Sequence, residues 1–232
     1  MTLRSIHRRN WLWLAAAFPF AFLVPFVFAD VLELDRDLFY GVYAIAVASF
    51  VAGWARSTGP TRRSLTGHWR WGVGLGLLAA LVMALMVVRT EDRTDAPGTL
   101  GLAAAVLWRG VLYGATDGVL LSVFPILAVF GAFAGTRLRR RIPGLIAIGT
   151  LAMVASIGLT AVYHLGYSDF RSEKVRKPVA GDVIWSAPTL FTLSPLGAPI
   201  AHVGLHVSAV LHSYGTNTFL PPHAVGRGTT AP

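Results

Sequence analysis

Apolar residues fall in long blocks separated by short polar segments. Most of these blocks exceed the roughly 18 residues that a helix needs to cross a bilayer. A membrane β-barrel would instead show short alternating segments, and the sequence has none of these. The pattern predicts an all-α, polytopic helical membrane protein. The six blocks are Trp11–Ala29, Leu38–Ala55, Trp71–Val88, Leu100–Gly135, Ile142–Tyr163 and Ile184–Tyr214.

Charges between the blocks predict the topology, because Lys and Arg mark the cytoplasmic side. The N-terminal segment Arg4–Arg9 and the loop Thr136–Arg141 are strongly basic, whereas Asp30–Asp37 is acidic. The segment Tyr167–Asp182 is predicted to be the longest outside loop. This alternation predicts a multi-pass protein with its N- and C-termini in the cytoplasm.

Two blocks do not fit a single straight span. Leu100–Gly135 is too long for one crossing and too short for three, so we expect a partial helix over Leu100–Leu112, a break near Gly110 or Gly114, and then a full span. Prolines interrupt Ile184–Tyr214 in the same way. These features predict six full spans plus two partial helices, with eight spans as the alternative. Irregular backbone at membrane depth must line a cavity or be buried in protein, so a shared internal cavity is expected.

Composition supports this class and narrows the chemistry. Hydrophobic residues make up 54% and charged residues 13% of the chain, whereas soluble domains carry about 25% charged residues. The absence of cysteine excludes disulfides and thiolate sites. The net charge of +9 lies in segments that flank the apolar blocks, which predicts membrane lipids and not nucleic acid as partners. We predict one domain, residues 1–214, followed by a flexible tail over residues 215–232.

Ionisable residues inside the apolar blocks are candidates for function. Arg109, Tyr113 and Asp117 are four residues apart and would form one stripe on a continuous helix. His202 and His206 have the same spacing, which suits two ligands of one metal or two groups facing one substrate. His164, His202 and His206 form the predicted metal set, with haem held by two of these histidines as the alternative. The predicted catalytic set is Arg109, Asp117, His164, His202 and His206.

Three short segments resemble motifs of a known family. "LWRGVLYG", "TAVYH" and "APIAHVGLH" are similar, in order, to three motifs of the CAAX-protease and bacteriocin-processing (CPBP) family of intramembrane proteases. In that family a glutamate activates water and histidines assist. The resemblance matches Arg109, His164 and His202 to the motif arginine and the two motif histidines.

The departures from the family pattern limit what the resemblance implies. Ala104 and Ala105 stand where the family has a Glu-Glu pair, Thr160 replaces a phenylalanine, and His206 replaces an asparagine. Since alanine cannot act as a base, the resemblance implies a non-proteolytic relative whose polar cavity binds or processes a lipid or a membrane-embedded peptide. In an active enzyme Asp117 would be the base or proton carrier, and Arg109 would hold an anionic group.

Two other readings stay open from the sequence. The chain could be a structural subunit or transporter, with other membrane protein subunits as its partners and its polar residues used in helix packing. It could also be a membrane protein with a histidine-ligated metal or haem. The sequence alone does not decide whether the protein is an enzyme.

Overall fold

The computed structural model describes residues 3–59, 66–215 and 219–220. Within these residues seven α-helices follow one another and no strand occurs, which confirms the all-α prediction. A π-helical turn, Phe26–Val31, extends the first helix. The helices are α1 (Leu3–Pro25), α2 (Arg36–Thr58), α3 (Trp69–Thr90), α4 (Thr99–Ala132), α5 (Ile142–Leu165), α6 (Arg176–Thr192) and α7 (Gly197–His212).

Five of these helices, α1 to α5, are long and apolar enough to cross a membrane. This agrees with the prediction of a polytopic helical membrane protein. The last two are shorter, with 17 residues in α6 and 16 in α7. At 1.5 Å per residue, each is about 25 Å long.

Helix α4 lies at the centre of the bundle. Its most apolar window is 72% buried within the protein, against 28–33% for the other four long helices. The outer helices therefore expose most of their apolar surface, as expected of helices that face lipid. Polar side chains on α4 are held away from that surface.

The expected break in α4 does not occur. Gly110 and Gly114 lie within one continuous helical run, together with Gly118, and this glycine row packs on α7. An added Cβ would lie 2.7 Å from Val207 at Gly110, 2.9 Å from the His202 carbonyl at Gly114 and 2.6 Å from Pro199 at Gly118. The glycines thus serve close helix approach and not chain reversal. No partial helix ends at Leu112.

The length of α4 is accommodated by two π-helical segments, Val106–Leu112 and Gly118–Val123. The second one precedes Pro125, which has no N–H to donate to the carbonyl of Leu121. The Ser156 hydroxyl on α5 donates to that carbonyl at 2.7 Å instead. A neighbouring helix thus satisfies the backbone group that the proline frees.

The second predicted break is present. Helix α6 ends at Thr192, Leu193 has a left-handed backbone conformation with φ 55°, and α7 begins at Gly197. Much of the predicted outside loop Tyr167–Asp182 is helical, since it holds two 3-10 turns and the start of α6. The two helices form a hairpin that packs on α3, where Gly72 contacts Ser194.

The two ends of the bundle are defined by contacts between loops and helix ends. At one, the His7 end, His7 bonds Ala134 and Arg9 bonds Ser57. At the other, the Asp37 end, Arg109 bonds Asp37, Arg171 bonds Asp30 and His212 bonds Glu91. His7 and His212 therefore lie at opposite ends. The α6–α7 hairpin begins and ends at the Asp37 end, so α7 finishes at the end opposite to the one where α1 begins.

The segment that follows α7 differs in part from the predicted flexible tail. Leu220 is fully buried in an apolar cluster with Leu205 and Val210 of α7, and Phe219 packs against this cluster. The predicted tail residues 216–218 and 221–232 lie outside the described residues.

Candidate functional site

Three of the predicted site residues converge in the interior. Asp117 of α4 and His202 and His206 of α7 each offer one ligand atom, and these atoms all lie within 4.8 Å of one another. Nε2 of His206 is 3.5 Å from Oδ2 of Asp117. The glycine row produces this proximity, since Asp117 immediately precedes Gly118, whose backbone touches α7. All three side chains are buried.

The Asp117 carboxylate is oriented from a third helix. The Tyr43 hydroxyl on α2 donates to Oδ1 at 2.7 Å, and both residues are buried. Oδ2 is thereby directed to the histidines. A carboxylate that a hydroxyl holds in one orientation is the usual arrangement around a metal ligand.

The two histidines differ in how they are held. Nδ1 of His206 lies 2.7 Å from the carbonyl oxygen of Phe219, so Nδ1 carries a proton and Nε2 is the ring nitrogen that faces Asp117. Within the described chain, His206 Nε2 and both ring nitrogens of His202 have no hydrogen-bond partner. The His202 ring is held only by packing, with its centroid 4.7 Å from the ring of Trp185.

His164 is close to this group but does not belong to it. Its Nδ1 bonds the carbonyl of Thr160 at 2.8 Å, one turn earlier on α5. It lines the same cavity as the other two histidines. The predicted metal set His164, His202 and His206 is therefore corrected: Asp117 takes the third place, because the α4–α7 contact brings it closer.

A chain of tyrosine hydroxyls runs beside the carboxylate. Tyr113 and Tyr163 are 3.0 Å apart, and Tyr163 and Tyr167 are 2.8 Å apart. Burial raises the pKa of the Tyr167 hydroxyl well above its ordinary value, so it stays neutral. The Tyr113 ring also packs edge-on against His206, with centroids 4.8 Å apart. These residues form a rigid wall behind the site.

The three-residue group opens into a cavity of about 550 Å³. At the site the cavity is lined by Asp117, His164, His202, His206 and Tyr113, and much of the remaining wall is apolar. From the site it extends between α3 and α6 to exposed residues, including Thr90, Lys177 and Ile184. Its volume is within the range of roughly 300–1,000 Å³ that small-molecule sites occupy.

Arg109 does not take part in this arrangement. Its guanidinium makes two 2.7 Å bonds to the Asp37 carboxylate and lies over the ring of Tyr214. It sits about two helical turns from Asp117 towards the Asp37 end and does not line the cavity. This geometry does not support the predicted role of Arg109 in holding an anion in the site, since the Nε and Nη2 edge of its guanidinium pairs with Asp37 instead.

Several residues that complete the site were not predicted from the sequence. Tyr43 orients the carboxylate, the Phe219 carbonyl fixes His206, and Trp185 packs on His202. A buried tyrosine in an apolar helix requires a hydrogen-bond partner, so Tyr43 carried a usable signal. The sequence carried no comparable signal for Phe219, because its contribution is a backbone carbonyl that a turn after α7 brings to the site.

Trp185 also connects the site to a second buried polar group. Its Nε1 donates to Oδ1 of Asp182 at 2.9 Å. The same oxygen accepts from Thr160 at 2.9 Å and from Ser186 at 3.0 Å. Asp182 is fully buried and therefore anchors the indole that faces His202.

The donor set fits a first-row divalent metal. Two imidazoles and a carboxylate form a common three-ligand set of catalytic zinc, with the fourth position left for water or substrate. Ligands at about 2.1 Å in a tetrahedron are about 3.4 Å apart, close to the 3.5 Å between Asp117 and His206. The His202 ring makes no hydrogen bond in the described chain, so none has to be broken for it to approach. A comparison with protein-family models, curated proteins and solved structures finds no match for this chain.

Proposed function

We propose that the protein is a zinc-dependent hydrolase that acts on an amphiphilic substrate within the membrane. Asp117, His202 and His206 bind the metal, and the cavity beside them takes the substrate. The single observation that carries the proposal is the convergence of these three ligand atoms within 4.8 Å of one another in a buried cavity.

Electrostatics favour a bound cation over a packing role. A buried carboxylate is costly to desolvate unless a charge and hydrogen bonds compensate it. Tyr43 supplies one hydrogen bond to Asp117. The partnerless nitrogens within the described chain, on His202 and His206, are lone-pair donors aimed at the same space. A divalent cation would satisfy the carboxylate and both rings at once.

The chemistry follows from the ligand set. Zinc held by Asp117, His202 and His206 would activate a water and polarise a substrate carbonyl. In hydrolysis the water oxygen would add to the carbonyl carbon, the bond to the leaving group would break, and one water proton would pass to the leaving atom. His164 is placed to carry that proton, because the Thr160 carbonyl holds its Nδ1 and leaves Nε2 as an acceptor at the cavity.

This proposal keeps part of the expectation drawn from the CPBP resemblance. It retains a polar intramembrane cavity and two of the matched residues, His164 and His202. It replaces the missing glutamate base at Ala104 and Ala105 with a metal. The resemblance itself stays a prediction, as do haem binding and a role as a subunit or transporter.

We also propose an orientation in the membrane. The basic segments at the His7 end would be cytoplasmic, following the distribution of Lys and Arg. The site then lies in the half of the bundle nearer the outer surface, and α7 ends on that side at His212, which bonds Glu91. This differs from the prediction that both termini are cytoplasmic.

The test is the metal content of the protein purified in a neutral detergent without chelators. We expect about one zinc per chain in the unchanged protein, and a loss of most of it in Asp117→Asn and His202→Ala. His212→Ala is the matched control, because His212 bonds the Glu91 carbonyl far from the site. Mass spectrometry of the metals and circular dichroism of each variant give the readouts.

The outcomes separate the alternatives. Zinc lost from the two site variants but kept in the control supports the proposal. A well-folded protein that binds no added zinc contradicts it and leaves an Asp117–His206 ion pair as the reason for the arrangement. A Soret absorbance band would instead favour haem.

A further inference from the structure

The cavity has a charged mouth and an apolar interior. Lys174 and Lys177 line its outer part and are exposed, whereas Asp169 is the acidic residue that lines the same region. Two cations against one anion leave the mouth positive. Such a mouth at the end of an apolar cavity favours a ligand with an anionic head group.

The interior suits a hydrocarbon chain. Met86 of α3, Leu121 of α4, Ile184 of α6, Leu205 of α7 and Phe219 line it. Each methylene group moved from water into such a wall gains about 0.8 kcal/mol. The polar groups of the interior are gathered at one place, around Asp117, His202 and His206.

Access from the side is possible between α3 and α6. These helices are in contact near the His7 end, where a Cβ added at Gly72 of α3 would lie 3.6 Å from Oγ1 of Thr192, the last residue of α6. Towards the Asp37 end the cavity lies between them, bordered by Thr90 on α3 and by Ala180 on α6, both exposed. A chain lying in the bilayer could enter there without passing through water.

The depth of the site sets where the reactive bond lies. Lys177 precedes Trp185 by eight residues on α6, which is about 12 Å along the helix axis. Trp185 marks the level of His202. A head group bound at Lys177 therefore lies about 12 Å along this axis from the level of the metal ligands, so the reactive bond lies between the head group and the far end of the chain.

We infer that the substrate is a single-chain amphiphile in which an ester or amide joins an anionic head group to the chain. This inference rests on the proposed function. Lys174 and Lys177 bind the head group, and the chain occupies the apolar cavity. In hydrolysis, water supplies the oxygen of the new carboxylate, the acyl bond breaks, the head-group oxygen or nitrogen takes one proton of the water, and the other proton is released to solvent.

The experiment uses two probes that differ by one phosphate, 1-oleoylglycerol 3-phosphate and 1-oleoylglycerol. Binding to the full chain in neutral detergent is measured with the unchanged protein and with Asp117→Asn, so that binding does not depend on cleavage. We expect the phosphate compound to bind at least about tenfold more tightly, the effect of one charge-assisted hydrogen bond. Release of oleate from both probes is measured in parallel.

The lysine substitutions identify the head-group site. The double variant Lys174→Gln, Lys177→Gln should lose the preference for the phosphate compound and keep its binding of 1-oleoylglycerol. Arg176→Gln is the control, because Arg176 is a neighbouring exposed cation that pairs with Glu173 and does not line the cavity. It should keep the preference.

Several results would overturn the inference. Equal binding of the two probes would remove the role of the lysines, and equal binding of glycerol 3-phosphate alone would remove the role of the chain. Failure of a folded protein to bind either oleoyl compound would contradict both the role of the lysines and the role of the chain. The protein could prefer the phosphate compound and lose this preference in the double lysine variant, yet hold no zinc and release no oleate. That result would support the amphiphile-binding site and contradict the proposed hydrolysis.

Discussion

Asp117 on α4 and His206 on α7 lie with Oδ2 and Nε2 3.5 Å apart, inside a bundle whose long helices are apolar enough to cross a membrane. Neither residue is close to the other in sequence. Their proximity depends on the row Gly110, Gly114 and Gly118, which lets the backbones of α4 and α7 touch. Metal binding and stability should therefore both depend on this contact.

Removing the hydroxyl that orients the carboxylate should weaken metal binding without unfolding the protein. Tyr43→Phe deletes the donor to Asp117 Oδ1. Changes in groups that orient metal ligands reduce affinity by about 10–100-fold. Zinc affinity measured by competition with a chelator tests this.

Tyr40→Phe is the matched control for that substitution. Tyr40 is fully buried and stacked on Tyr113, and its hydroxyl has no hydrogen-bond partner within the described chain. Its removal should leave zinc affinity unchanged. Equal losses in the two variants would show that the effect comes from packing and not from orientation of the carboxylate.

Filling the contact between α4 and α7 should separate the ligands. In Gly114→Ala the new Cβ would lie 2.9 Å from both the His202 carbonyl oxygen and the Val203 Cα. Because both neighbours are backbone, the helices must move apart, and overpacking of this kind costs about 1–3 kcal/mol. We expect a lower melting temperature together with weaker zinc binding.

Gly74→Ala gives the control for helix packing. No atom lies within 4 Å of an added Cβ at Gly74 on α3. Alanine is favoured over glycine within helices by about 1 kcal/mol, so this variant should melt at the same or a higher temperature. An equal loss of stability in both variants would contradict the role assigned to the glycine row.

The Ser156 hydroxyl should contribute to stability, because Pro125 has no N–H to donate to the Leu121 carbonyl. Ser156→Ala leaves the buried Leu121 carbonyl without its 2.7 Å donor and also removes the Ser156 contacts with Asp182 at 3.2 Å and Ser186 at 2.9 Å. An unsatisfied buried group costs about 1–3 kcal/mol. Thermal unfolding in detergent should show this loss, whereas Ser208→Ala should have little effect. Among the described residues, Ser208 bonds the Gly204 carbonyl of its own helix, at 2.7 Å.

Arg109 should contribute little to zinc binding or to stability. Its partner Asp37 has 53% of its side chain exposed, and exposed ion pairs stabilise by about 0–1 kcal/mol. Arg109→Gln is therefore expected to keep zinc binding and to lower the melting temperature slightly. A loss of zinc comparable with that of Asp117→Asn would show that the arginine acts on the site after all, as the CPBP resemblance implies.

The candidate site could be predicted in part from the sequence. Asp117, His202 and His206 were recognisable because ionisable residues are rare in apolar blocks, and the spacing of the two histidines places them on one face of a helix. Arg109 met the same criteria, yet it faces the Asp37 end and pairs there. Hydrophobicity identifies which residues are unusual in a span but not which helix each one faces.

The sequence by itself determined the all-α class and most of the helices, because burial in lipid requires continuous apolar runs whose backbone bonds are internal. It predicted six full spans, whereas five helices of the described residues are long and apolar enough to cross a membrane. It also determined the break before α7. Only the tertiary structure decided that α4 is continuous and central, that Asp117 and not His164 joins the two histidines, and that Phe219 returns to hold His206. These relationships depend on close contacts between distant helices, where the glycine row and Pro125 act through partners that no local pattern encodes.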